Sequence, residues 1–215
     1  MKGDLSKPRH TIRWKGKQRR IGITGGIASG KTILGRYLAE ENKLPLLDAD
    51  IYSRDVIAPG TSSTKKIIQR FGEKIILQSP DKSMTIDRRA LRKIIFENKE
   101  EKIWLESLIH PKVITRIDYE LNQLKQEPIV ILIIPLLYEL DLTYICSETW
   151  VIDCTTDQQL ERLVQRDKMN MREALSMINS QMSLKEKKKF ADVIISNKNE
   201  PEIMFNQAKY LLDHL

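Results

Sequence analysis

The stretch GGIASGKT at residues 25–32 leaves this chain little freedom of local fold. Its spacing is Gly-x-x-x-x-Gly-Lys-Thr, which forms a phosphate cradle only where a strand runs into it and a helix leaves it. Both flanks meet that condition. RRIGIT is a short apolar run with β-branched residues, and KTILGRYLAEEN sets Ile33, Leu34, Tyr37 and Leu38 at helical spacing with acids gathered on the other side. Backbone N–H groups between Gly25 and Lys31, with the amino end of the following helix, would then point partial positive charge at phosphate oxygens. Gly25, Gly26, Ile27, Ala28, Ser29, Gly30, Lys31 and Thr32 form the candidate nucleotide-binding set, with Lys31 reaching the β and γ phosphates and the Thr32 hydroxyl ligating Mg²⁺. Such a loop implies a nucleotide but not a reaction, since hydrolysis, switching and phosphoryl transfer all use it.

The rest of the chain supplies strands to accompany the first. LPLLDAD, IVILII, TWVIDC and ADVIISN read as four more, and the helical patterns QQLERLVQRD and PEIMFNQAKYLLDHL follow the last two. Strands alternating with helices predict an α/β parallel sheet, with the wholly apolar IVILII covered on both faces. Between the second and third strands the chain is too long for a simple crossover. TSSTKKIIQRFG predicts a short helix closed by Gly72, residues 73–86 a loop with its tip at Pro80–Asp81, and DRRALRKIIFEN a helix capped by Asp87. HPKVITRIDYELNQLKQ predicts a further helix opened by Pro111. The expectation is one domain over residues 19–215, with a helical lobe inserted at about 60–127 and a charged two-helix segment at about 167–190.

Charge decides what that domain can bind. The net charge is +7, but residues 1–20 hold eight Lys or Arg against one Asp, which leaves residues 21–215 formally neutral. The body is therefore not a polyanion binder by composition, and no stable nucleic-acid partner is expected. Residues 1–18 read as a basic flexible arm, either a solubilising tail or an extension without a role, or else a contact for an anion or nucleic acid. The longest apolar stretch, PIVILIIPLLY, is shorter than the roughly 20 residues a membrane helix needs and contains a second proline. Two cysteines without metal-ligand spacing, Cys146 and Cys154, fit buried apolar positions in a reducing, cytoplasmic setting.

Candidate acceptor-side residues are individually ambiguous. Asp48 and Asp50 stand at the carboxyl end of the second strand, where open sheets place ligands, and in an extended stretch both would point the same way. One could hold Mg²⁺ or its waters, with Asp48 the candidate, while the other accepts a proton from an attacking hydroxyl; both could equally cap a turn. Arg54, one turn further on, would relieve their mutual repulsion. Arg88, Arg89 and Arg92 form either a solvated face or a ligand contact. Arg162 and Arg166 form either an ion-pair face or a phosphate clamp on a closing lid. His110 is a cap or a substrate contact, without the neighbours of a metal site.

Taken in order, IGITGGIASGKT, LLDAD with Arg54, Pro59–Gly60, Phe71–Gly72, Asp87–Arg88 with Leu91, LESLIHP, PLLYE, TTDQQLERLVQRD, Gln181 and ADVIISN resemble the dephospho-CoA kinase family from Ile21 nearly to the C-terminus. The resemblance implies a P-loop NTPase-like three-layer sandwich around a five-stranded parallel sheet, with a helical CoA-binding lobe and a small helical lid. It implies transfer of the ATP γ-phosphoryl group to the ribose 3′-hydroxyl of dephospho-CoA, with Mg²⁺; the oligomeric state is left open by the sequence, with a monomer the favoured expectation. Asp50 is implied as general base beside Asp48, and Arg166 as a lid residue acting on the phosphates with Lys31. Arg54, Arg88, His110, Leu136, Leu137 and Glu139 are implied to border the acceptor. Ala28 and Thr32 stand where the family often has Gly and Ser, and Met177 where many members have Arg.

Overall fold

The computed structural model describes residues 12–77 and 85–214; the start of the basic arm and the expected Pro80–Asp81 tip lie outside them. The chain divides into two units, one running up to Asp48 and resuming at Leu124, the other Ala49–Gln123. The second unit thus begins at Ala49, earlier than the inserted lobe expected from about residue 60.

In the first unit, five strands pair in parallel: β1 (Arg19–Gly25), β2 (Leu46–Asp48), β5 (Ile129–Ile133), β6 (Glu148–Asp153) and β7 (Val193–Ser196). Their order is β2-β5-β1-β6-β7, so β1 is central and its two neighbours belong to later parts of the chain. That arrangement places a topological switch point at the carboxyl end of β1, where such sheets leave a crevice for ligands. The glycine loop begins there.

Alternation along β1 assigns the two faces of the sheet. Ile21 and Ile23 are fully buried with Leu34 and Leu38 of α1 (Lys31–Asn42) and Met204, Ala208 and Leu212 of α9 (Pro201–His214). Gly22 faces the other way, and a Cβ there would lie 2.5 Å from Cys146 Sγ and 3.3 Å from Leu137 Cδ2. Each fully buried Leu or Ile contributes roughly 1.5–3 kcal/mol of apolar transfer, so the α1–α9 face alone fixes α1 firmly on the sheet. Both cysteines are buried, and burial pushes the Cys146 thiol up to about 12.

The described part of the basic arm is not loose, contrary to expectation. Trp14 N–H donates to the Cys146 carbonyl at 2.9 Å, and the Arg20 guanidinium lies 3.6 Å above the centre of the Trp14 ring. Arg13 pairs with Asp192 at 3.2 Å, and Asp192 in turn accepts from the N–H and hydroxyl of Thr149. A cation over a tryptophan face and a shared carboxylate anchor a segment that carries no periodic pattern to announce it.

The second unit is helical: α2 (Ala49–Val56), α3 (Ser62–Phe71), α4 (Arg88–Glu97) and α5 (Lys99–Gln123), with β3 (Ile76–Leu77) and β4 (Thr85–Ile86) forming a small antiparallel pair inside the expected loop. Ile67, Phe71, Ile75, Ile86, Leu91 and Leu105 make its core. Asp87 caps α4 as expected, its Oδ1 accepting from the N–H groups of Arg89 and Ala90. Two expectations fail here. The chain turns helical at Ala49, so Asp50 lies in the first turn of α2 and does not continue the strand. The helix expected to open at Pro111 is instead one of 25 residues with Pro111 inside it. Leu105, Val113, Ile117 and Leu121 are buried on one face, whereas Pro111 and Ser107, the residue one turn before it, are exposed, so solvent takes up the bond the proline cannot donate.

In the first unit the charged segment forms two helices, α7 (Met171–Asn179) and α8 (Leu184–Phe190), after α6 (Thr156–Asp167). All three open with a reciprocal capping box, at Thr155/Gln158, Asn170/Glu173 and Ser183/Glu186.

Candidate active site

The glycine loop is held from outside by its carbonyls. Lys31 folds back over the loop, its Nζ donating to Gly26 O at 2.8 Å and Gly25 O at 3.3 Å. Ile27 O accepts from Gln159 Nε2 at 2.6 Å, Ala28 O from Arg162 at 3.5 Å, and Ser29 O from Asn197 Nδ2 at 2.8 Å. Every carbonyl from Gly25 to Ser29 therefore has a donor, and the peptide planes of the loop are fixed before any ligand arrives. Left-handed backbone at Ala28 (φ 57°) and Gly30 (φ 102°) produces the reversals that this needs. A Cβ at Gly30 would sit 2.3 Å from Asn197 Nδ2, so the glycine serves both the turn and the close approach. Ala28 pays for its αL backbone with roughly 1–2 kcal/mol that glycine would avoid.

Polar chemistry is concentrated around this loop. Lys31 is 7% exposed, and the Ser29 hydroxyl is buried with no hydrogen-bond partner among the described residues. Thr32, half-buried, lies in the first turn of α1, beside the amino end that favours anions. Asp48 closes β2 and is 4% exposed. All of these belong to the first unit.

The segment after β5 supplies Leu136, Leu137 and Glu139. Leu136 is half-buried, while Leu137 is fully buried against Gly22 and Cys146, which leaves it no ligand-facing surface in this structure. Glu139 Oε1 accepts from Lys187 Nζ at 2.9 Å and from the Met182 N–H at 3.1 Å; its Oε2 is buried with no hydrogen-bond partner among the described residues. Arg166, in the last turn of α6, is exposed and forms a two-point pair with Asp167 at 2.8 and 3.0 Å. Met177 lies on α7. Arg162 is no surface ion-pair face: its guanidinium donates to two main-chain carbonyls, Ala28 O and Asn197 O.

The other acceptor-side candidates belong to the second unit. Asp50 and Arg54 stand one turn apart on α2, both exposed, with the carboxylate in the first turn and the guanidinium in the last, as the helix dipole favours. Arg88 opens α4 and is exposed. His110 is half-buried within α5; burial pulls its imidazole below the ordinary histidine range, Glu106 pulls it back up, and Lys102 pushes it down.

Four residues of this site carried no role from sequence alone. Gln159 and Gln181 hold the two sides of Ile27, the second by accepting its N–H at 3.0 Å, and Asn197 holds Ser29. Lys187 is the fourth, wholly buried inside the run KEKKK. A signal for it existed: Leu184, Lys187 and Phe190 recur at three-residue spacing, which puts one lysine on the apolar stripe of α8.

The chain is similar to known proteins over most of its length. The family model described as dephospho-CoA kinase matches residues 19–202. A dephospho-CoA kinase of Prochlorococcus marinus (strain NATL2A) is 50% identical over 200 residues, 93% of this chain and 94% of that protein. A crystal structure from Thermus thermophilus is similar at TM-score 0.75 and 28% identity, covering 93% of this chain and 99% of that one. The dephospho-CoA kinase of Campylobacter jejuni is similar at TM-score 0.63 and 28% identity, covering 90% of this chain and 95% of its own. The likeness extends along almost the whole length, and the chain belongs to the dephospho-CoA kinase family.

Proposed function

We infer that this chain carries out the family's ATP-dependent phosphorylation of dephospho-CoA, placing the phosphate on the ribose 3′-hydroxyl and releasing CoA and ADP. The observation that carries this reading is the family match over residues 19–202, joined to the loop: with its carbonyls all engaged, the N–H groups at the amino end of α1 are left to meet phosphate oxygens. Lys31 would release its own loop carbonyls to reach the β and γ phosphates, and the buried Ser29 hydroxyl is a further donor at the cradle.

The residues present fit Mg²⁺. It prefers oxygen ligands and keeps much of its water, taking one or two protein groups with the phosphates. The Thr32 hydroxyl and the Asp48 carboxylate are oxygen donors of that kind. When bound, the ion would neutralise charge developing on the transferring phosphoryl group.

Asp50 would orient the acceptor hydroxyl and take its proton. Because the transition state of phosphoryl transfer is loose, that proton leaves late, and positioning by Arg54, Arg88, His110 and Glu139 counts for as much as basicity. Arg166 would leave Asp167 to engage phosphate oxygens and exclude water from the site. No helix among the described residues is long and apolar enough to cross a membrane. The neutral body favours a small-molecule acceptor over nucleic acid, and the protein is proposed to act as a cytoplasmic monomer.

Phosphorus NMR of the product tests the regiochemistry. Dephospho-CoA and ATP should yield a monoester at the 3′ position that co-elutes with CoA; a 2′-phosphate would contradict the proposal.

A further inference from the structure

A buried lysine stands behind the site, and nothing in the reaction as described uses it. Lys187 is fully buried on α8, and its ammonium meets three acceptors: Pro135 O at 2.7 Å, Glu139 Oε1 at 2.9 Å and Gly25 O at 3.5 Å. Three N–H donors face three acceptors, so the group is fully satisfied. The contacts are unequal. The Gly25 bond is at the limit of a hydrogen bond, whereas the other two are short, and that to Glu139 is charge-assisted. Pro135 and Glu139 belong to the same segment after β5, and Pro135 O is also held by the Thr24 hydroxyl at 3.1 Å.

Glu139 is thereby fixed through one oxygen only. Oε1 is occupied by Lys187 and the Met182 N–H, while Oε2 is buried with no hydrogen-bond partner among the described residues. A buried carboxylate oxygen without a donor is costly, and a carboxylate without its counter-charge is costlier still. Burial pulls the Lys187 ammonium's pKa down and the Glu139 carboxylate pulls it up.

We propose that Lys187 is a positioning residue that acts through Glu139, pinning Oε1 so that Oε2 is presented to a hydroxyl or amide N–H of the acceptor. The proposal rests on the reading that Glu139 borders the acceptor. It also assigns a task to α8: this lysine-rich helix carries the ammonium that sets the acceptor side, while Gln181, just before it, holds Ile27 of the nucleotide loop.

Steady-state kinetics of K187M, E139Q and the double variant, with each substrate varied in turn, test it. The expected result is a fall of at least tenfold in kcat/KM for dephospho-CoA in K187M, with the KM for ATP within threefold of the unaltered protein. E139Q should show the same split, and the double variant should be no more than threefold below the worse single one. Equal losses toward both substrates, or losses that multiply in the double variant, would overturn the proposal. Should K187M fail to fold, K187Q makes the same comparison, since it can still donate to Pro135 O but carries no charge; acceptor kinetics like those of the unaltered protein would then overturn it. If the unaltered protein phosphorylates another acceptor and not dephospho-CoA, the functional reading falls, and the same variants are read on that acceptor.

Discussion

The two units handle their polar groups in opposite ways. In the sheet unit the functional groups are buried and tied: Lys31 and Asp48 are at most 7% exposed, Lys187 is wholly buried, and five loop carbonyls each have a donor. In the helical unit the candidates Asp50, Arg54 and Arg88 are exposed side chains on helices whose core lies on other faces. The main chain of the proposed nucleotide loop is therefore pre-organised. The proposed acceptor-side residues are, by contrast, solvent-facing charges. Pre-organised dipoles act without a reorganisation cost, so the difference predicts which half dominates the rate.

The largest expected effect is in the first unit. Lys31→Ala should lower kcat/KM by about 10²–10³, the scale for loss of one charge stabiliser at the transferring group, while leaving the melting temperature within a few degrees. Asp50→Asn should be smaller and of a different kind. We expect kcat down by roughly 10–100-fold with the dissociation constant for ATP within twofold, because a loose transition state asks little of the base. Turnover unchanged in Asp50→Asn would remove Asp50 as the proton acceptor. Should the two variants lose activity equally, the contrast between a buried, tied loop and exposed acceptor-side charges would not hold.

Two smaller effects concern stability. Ala28→Gly relieves an αL alanine but frees the unfolded chain, for a net gain of about 0.5–1 kcal/mol read by thermal or urea unfolding. A loss of stability would mean that the Ala28 methyl makes a packing contribution greater than its strain. His110 bears on the helical unit. Its pKa is lowered on folding, so the folded state favours the neutral ring; that contribution is full above the unfolded value near 6.5 and is lost as pH falls below it. The unaltered protein should accordingly lose more melting temperature between pH 7.5 and 5.5 than His110→Gln does.

What the sequence made legible follows the same divide. The glycine loop is a local pattern whose flanks identify themselves, and the five strands fall where their apolar runs predict. Asp87 at the start of α4 is likewise a local device, one side chain satisfying two N–H groups of its own helix. Long-range packing was not legible. Pro111 signals a helix start, yet burial of Leu105 and Val113 on either side carries α5 through it. Asp50 looked like a continuation of β2 until the turn at Ala49 was seen. Lys187 sits in a run of lysines and glutamates that composition assigns to solvent, and only its place on the α8 stripe sets it apart. Arg13 and Trp14 find partners more than a hundred residues away, which no spacing rule encodes.

A pre-built ATP cradle that serves one particular acceptor sets this protein apart from other kinases with the same loop. Release of ADP in the presence of Mg²⁺, measured across dephospho-CoA and a set of nucleosides, tests it most directly. Release should depend on dephospho-CoA and stay at background with the nucleosides; equal rates across the set would sink the assignment.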